Sequence, residues 1–488
     1  MEGKSFLYVG ILIAALVLYW TIGKKSSRIQ NSILLLASYI SYGLWDFRFL
    51  SIIILLTVIS YFSGIRFSGK TEKNKNRPWL IAVLLIHIAI LYYFQYHGFF
   101  IDSIINQLKG SGFYSSGKTL EIIIPLGLSI YLLQSVSYLL DTYYRRIDPV
   151  KDIIQFGAYI SFFPVMMAGP INKPSNFIPQ IGSPRRFNFE DLKEGSLIFL
   201  WGLFKKVVIA NNCAIYANEV FANYSDYSGL TILIGLVFFS FQVYADFSGY
   251  SDMATGIART FGIRLDENFR FPYFSMNPLE FWKKWFTSLS NWIRTYIVDP
   301  NRTSSVLSGR NLPGILFLFI LFGMWHSGNA TMIIWALINV IFLYGGRIPE
   351  LLSRKIYNLE KGNTGHVMKL LVFSFITYLF LLLGWIFFRA ESVNHAIEIF
   401  IRILNNPFET SILELRSLGN SIEVTITHVI ILALYIILEW LQRDSDFGLL
   451  FNNIRMKKNY KFIIIGIVLF LILFFNGTPG GYEYYNFF

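Results

Sequence analysis

The chain has 488 residues, 54% of them hydrophobic and only 15% charged, against roughly 25% charged in soluble domains. Its formal net charge of +12 lies in short loops between apolar runs, as expected of cytoplasmic loops rather than of a nucleic-acid-binding face. A single cysteine, Cys213, excludes an intrachain disulfide and a thiolate zinc cluster; beside Asn212 and after an apolar run, it reads as a packing residue.

Apolar runs near the ~20 residues that cross the hydrocarbon recur from end to end. In chain order they are Phe6–Ile22, Ser32–Trp45, Phe49–Ile65, Trp79–His97, Leu120–Leu140, Phe156–Ala168, Leu192–Phe221, Leu230–Ala254, Leu312–Trp325, Ala330–Leu343, Met368–Phe388, Val424–Leu441 and Phe462–Phe475. The first reads as a transmembrane helix rather than a signal peptide, because Lys24, Lys25 and Arg28 follow it. Several runs are short or hold Gly, Pro or polar residues. The expectation is an all-α polytopic membrane protein with about 11–13 membrane helices, some short, tilted or re-entrant. No long polar linker divides the chain, so one domain over 1–488 is expected, with N-terminal helices to 119, a core over 120–400 and C-terminal helices beyond. No internal repeat suggests a repeat-built transporter.

Loop charge orients the first five spans. Loops 23–30, 66–77 and 143–152 carry an excess of Lys and Arg, whereas the alternate loops are near neutral. All the basic loops fall on one side, which places the N-terminus outside. Two segments are amphipathic rather than spanning. In Pro278–Val298, Trp282, Trp285, Phe286, Leu289, Trp292, Ile293 and Tyr296 recur at helical spacing. That pattern fits one helix lying in the membrane interface, or one packed under the bundle with a single wet face. Glu391–Leu404 is the second such segment.

Ionisable groups inside spans cost at least ~2.5 kcal/mol at the bilayer centre, so each needs a reason. Of the six histidines, His366 and His395 lie in loop-like or amphipathic contexts, and His97 ends a span. His87 and His428 fit hydrogen bonds to neighbouring helices. His326 differs: it sits between two apolar runs, followed by Ser327, Gly328 and Asn329. A break of this kind lets a side chain face a cavity, and neutral imidazole can take a proton from a hydroxyl. Position alone suits a catalytic or pathway role and a structural role equally. A second polar cluster joins Gln242, Tyr244, Asp246, Ser248, Tyr250, Ser251 and Asp252. Asp246 and Asp252, six apart, do not share one helical face, and Gly249 is a candidate break between them. The cluster reads as polar glue between helices; no metal-ligand spacing supports a metal site. Lys205 and Lys206 either snorkel or meet an anionic group.

Seven ordered stretches resemble one family. PLGLSIYLLQSVSYLLDTYYR (125–145), FFPVMMAGPI (162–171), GLFKKVVIAN (202–211), VYADFSGYSDMATGIARTFG (243–262), ENFRFPYFSMNPLEFWKKW (267–285), MWHSGNATMIIWALINVIFL (324–343) and LLGWIFFRAES (382–392) are similar to the motifs of membrane-bound O-acyltransferases of the bacterial alginate O-acetyltransferase type. The resemblance implies a helical bundle around a central funnel or tunnel and His326 as principal catalytic residue, acting as general base or as nucleophile. Supporting or tunnel-lining candidates are Asp246, Asp252, Tyr250, Gln242, Ser288, Asn291, Arg294, Trp325 and Asn329. It further implies no bound cofactor, a cytoplasmic thioester donor such as acetyl-CoA, and a polysaccharide or cell-wall glycan acceptor outside. The enzyme would sit in the inner or plasma membrane, with an extracytoplasmic acyltransferase partner.

Three departures mark this chain. Phe286 stands where the family usually has a second histidine, leaving Ser288, Asn291 and Asp246 as substitutes. The acid of the family's FRDY is missing from Ile293-Arg294-Thr295-Tyr296, and the glycine after the histidine is Ser327, with Gly328 one place later. Rival readings are D-alanyl transfer to teichoic acid from an acyl carrier protein, a transporter or flippase, and a catalytically dead scaffold.

Overall fold

The computed structural model describes residues 2–68, 73–95, 124–166, 169–298, 312–326, 329–345, 364–405, 422–443 and 458–475. Among them every regular element is helical. Helix α1 (Glu2–Thr21) precedes a 41-residue α2 (Ser27–Phe67), whose Asp46 leaves helical geometry (φ −160, ψ 111). Its carboxylate accepts the Arg48 backbone N–H at 2.9 Å, the bond of a helix N-cap. The runs Ser32–Trp45 and Phe49–Ile65 are therefore two limbs meeting at a capped kink. Helices α3 (Lys73–Gln95) and α4 (Leu128–Tyr143) follow. The span expected over Leu120–Leu140 is helical only from Leu128; residues 124–127 are not, and 120–123 and His97 lie outside the described residues.

Helix α5 (Ile153–Ile160) has only 8 residues, so the expected span Phe156–Ala168 is corrected: the chain turns at Ser161, and Pro164 disfavours helical geometry at the residue before it. Helix α6 (Pro174–Gly182) leads to α7 (Phe189–Phe204), which continues through a π-helical turn at Lys205–Ala210 into α8 (Asn211–Ala222). Helix α9 (Gly229–Thr260) runs unbroken for 32 residues, so Gly249 does not interrupt it.

The segment Pro278–Val298 is not one helix. It forms α10 (Pro278–Lys284) and α11 (Thr287–Ile293), with a π turn over Arg294–Val298. The break is Phe286, held in the left-handed region at φ 45, which costs a non-glycine residue ~1–2 kcal/mol. Phe281, Trp285, Phe286, Leu289 and Trp292 are buried, so this face packs inside the protein. The remaining helices are α12 (Leu312–His326), α13 (Ala330–Gly345), α14 (Thr364–Arg389), α15 (Val393–Asn405), α16 (Ile422–Gln442) and α17 (Lys458–Phe474).

Seven helical stretches among the described residues are long and apolar enough to cross a membrane, and three shorter apolar helices accompany them. Their uncovered faces are hydrocarbon: Ile426, Ile430, Leu434, Ile437 and Leu441 of α16 are all exposed. A surface of this kind requires lipid rather than water.

Two compact units divide the chain, one from 1–196 with 254–266, the other from 197–253 with 267–487. In the first, Tyr19, Leu34, Tyr131, Tyr138, Phe156 and Phe261 share one core. Buried Arg185 is satisfied by Tyr19 Oη (2.6 Å), Asn31 Oδ1 (2.9 Å) and the Ile181 carbonyl (2.9 Å), as a charge withdrawn from water must be. His87 bonds Ser135 of α4 at 2.7 Å and its own helix at Val83 O, the interhelical role expected for it. In the second unit His428 bonds Tyr216 of α8 at 2.8 Å.

Gly127, at φ +66, opens α4, and a Cβ there would stand 1.8 Å from the Met166 carbonyl oxygen. Gly127→Ala adds left-handed strain to that clash, so the detergent-purified protein should lose at least ~2 kcal/mol of stability, measured as a fall in melting temperature.

Candidate active site

Helix α12 is apolar along its whole length and ends on His326, which is only 4% exposed. The imidazole stands edge-on to three rings: Phe322 one turn earlier (centroids 4.9 Å), Phe388 of α14 (5.1 Å) and Trp335 of α13 (6.4 Å). Trp335 also packs against Phe322 and Phe388 at 5.8 Å each, so the cage is held from both neighbouring helices. Helices α12 and α13 can approach this closely because residue 323 is glycine; a Cβ there would meet the Met332 carbonyl at 2.7 Å. Asn329 opens α13, its carbonyl accepting the Met332 N–H at 3.1 Å, and is exposed. Ser327, Gly328 and the Trp325 side chain lie outside the described residues.

A cavity of about 210 Å³ adjoins this cage. It lies between α10, α11 with the π turn after it, α12 and Leu343 of α13, and Phe322 is one of its walls. Asn291 and Arg294 line it, as does Phe286. Arg294 Nη2 donates to Asn291 Oδ1 at 3.2 Å. Ser288 is buried and is not among the lining residues. Phe286 sets its ring edge-on to Phe247 at 4.6 Å, so the position that is histidine in the resembled family contributes only packing here.

Asp246, Asp252 and Tyr250 belong to a different grouping. Lys205 Nζ pairs with Asp252 at 2.9 Å and lies 3.9 Å from Glu439 of α16. Tyr244 and Tyr435 donate their hydroxyls to that same Glu439 oxygen at 2.9 and 2.6 Å. Lys206 Nζ pairs with Asp246 at 2.6 Å and lies over the Tyr250 ring at 5.4 Å. Adjacent residues on a helix diverge by about 100°, so two successive lysines reach two carboxylates set six residues apart on α9. Gln242, one turn before Asp246, is buried with them. The α7 and α9 backbones touch at Gly202 and Gly249, where a Cβ on Gly202 would come 2.5 Å from the Gly249 carbonyl.

The lysines thus meet anionic groups, and the Asp246–Asp252 cluster does serve as polar glue. Glu439 escaped the sequence reading; its signal was a lone carboxylate near the end of the apolar run Val424–Leu441. Phe322, Trp335 and Phe388 escaped it too, because aromatic residues in apolar runs are the ordinary case. Breaking one buried pair strands its partner, at a cost of about 3–5 kcal/mol. Lys206→Met should therefore lower the melting temperature sharply, and adding Asp246→Leu should restore most of the loss.

A family model for MBOAT, the membrane-bound O-acyltransferase family, matches residues 34–388. The chain is 32% identical over 395 residues to the probable alginate O-acetylase AlgI of Pseudomonas syringae pv. tomato, covering 80% of this chain and 72% of the relative. It is 32% identical over 395 residues to the peptidoglycan O-acetyltransferase of Helicobacter pylori, covering 75% and 72%. The teichoic acid D-alanyltransferase of Bacillus subtilis is more distant, 23% identical over 407 residues, 72% of this chain and 97% of that one. With its apolar helices and these matches, the chain belongs to the membrane-bound O-acyltransferase family and is a multi-pass membrane O-acyltransferase.

Proposed function

We propose that this enzyme transfers an acetyl group from a cytoplasmic thioester, acetyl-CoA, to hydroxyls of an extracytoplasmic polysaccharide or cell-wall glycan. The observation that carries this reading is the pair of O-acetylating relatives at 32% identity, against 23% for the D-alanyltransferase. The N-terminus outside, from the basic loops, goes with it, as does an extracytoplasmic partner that completes delivery to the polymer.

His326 acts as the general base. It takes the proton of the acceptor hydroxyl while the oxygen attacks the acyl carbonyl. The carbon–sulfur bond then breaks, the thiolate leaves, and the histidine's proton neutralises it. Support for this role comes from a buried imidazole at the end of an apolar helix, walled by three aromatic rings. Such walls exclude bulk water, and with it hydrolysis of the thioester.

Purified wild type, given labelled acetyl-CoA and a hydroxyl-bearing glycan, should release CoA and label the glycan. His326→Ala, folded to the same extent, should be slower by at least ~100-fold. Equal activity of the two proteins would remove His326 from the mechanism. Turnover only with an aminoacyl carrier protein would replace acetyl transfer with D-alanyl transfer.

A further inference from the structure

We infer that the rim of the first unit where α1 ends and α2 begins docks anionic phospholipid headgroups, with Lys24, Lys25 and Arg186 at the phosphates and the Phe187 ring at the acyl boundary. The inference lies apart from the proposed reaction and does not depend on it. The loop between α6 and α7 builds this surface. Gln30 of α2 clamps both backbone groups of Arg185, accepting its N–H at 2.9 Å and donating to its carbonyl at 3.0 Å. The buried Arg185 guanidinium is held by Tyr19 of α1 and Asn31 of α2. With Arg185 pinned inward, Arg186 and Phe187 turn outward: Arg186 is exposed, and Phe187 is 54% exposed. The Phe187 ring stands edge-on to Trp20 of α1 at 5.5 Å, and Trp20 Nε1 donates to the Thr260 carbonyl at 3.1 Å.

Charge gathers beside that ring. Lys24 and Lys25 lie in the turn that joins α1 to α2, and both are exposed. Neither they nor Arg186 has a carboxylate partner among the described residues. The acids next along the chain from Arg186 are already matched: Glu190 meets Lys193 at 3.2 Å, and Asp191 and Glu194 both meet Arg259 at 2.7 Å. Arg28 lies 3.6 Å from Asp152, which leaves Lys24, Lys25 and Arg186 as the unneutralised cations of this rim. Lipid, rather than an acidic protein, fits them because the turn is framed by lipid-facing side chains. Ile22 at the end of α1 and Ile29 at the start of α2 are exposed, and both helices are of membrane-spanning length. An aromatic ring at the edge of the hydrocarbon with free cations beside it matches the boundary between acyl chains and anionic headgroups.

The test places p-benzoylphenylalanine, a photoreactive analogue of the native ring, at position 187 of the full-length protein. The protein is reconstituted in vesicles of equal parts phosphatidylglycerol and phosphatidylcholine with identical chains. After irradiation, mass spectrometry identifies what is bonded to residue 187. The adducts should be lipid, with phosphatidylglycerol favoured about tenfold. Lys24→Gln with Lys25→Gln and Arg186→Gln should bring that ratio to about one while lipid adducts persist. Should this charge variant fail to fold, raising the salt to about 1 M with all three cations in place carries the same expectation, because exposed charge is then screened. Absence of lipid adducts at position 187, equal capture of the two lipids at low salt, or a preference that survives in the folded charge variant would each overturn the inference.

Discussion

Hydrocarbon offers a charged side chain no water, so every buried ion must find its opposite within the protein. Lys205 and Lys206 lie deep in a helical stretch of membrane-spanning length, and α9 supplies Asp252 and Asp246 to meet them. Glu439 brings α16 to the same point, tied to α9 by the Tyr244 hydroxyl and braced by Tyr435 of its own helix. Each pair works only at one register of one helix against another. The glycine contact at Gly202 and Gly249 brings the backbones close enough for those registers to be reached. In the second unit, the relative placement of α7, α8, α9 and α16 follows from satisfying these charges.

The histidine is held by different means. Three aromatic rings from three helices fix the His326 plane by edge-on contacts, an arrangement that aromatic quadrupoles favour. Aromatic walls of this kind keep bulk water from the imidazole. The same rings connect the histidine to the neighbouring cavity through Phe322.

Phe286 shows how a family position can change character without loss of fold. In a left-handed turn between α10 and α11, its ring packs on Phe247 and walls the cavity. Of the residues weighed as substitutes for the family's histidine, Asp246 is committed to Lys206 and Asn291 to Arg294, and Ser288 is buried.

The sequence by itself determined the class of molecule. Run length and apolar content dictate membrane helices, because an apolar run of about 20 residues satisfies its own backbone in hydrocarbon as a helix, and seven ordered motifs pointed to the acyltransferase family. His326 stood out because a histidine between two apolar runs is costly to place. Breaks were harder to read. Asp46 kinks α2 and Phe286 splits α10 from α11, yet Gly249 leaves α9 whole, because whether a residue breaks a helix depends on what packs against it. Only the tertiary structure decided the partners: which carboxylate each lysine meets, that Glu439 joins them from almost 200 residues away, and which rings surround His326. Pairings of this kind depend on distance in space, and the order of residues along the chain does not encode it locally.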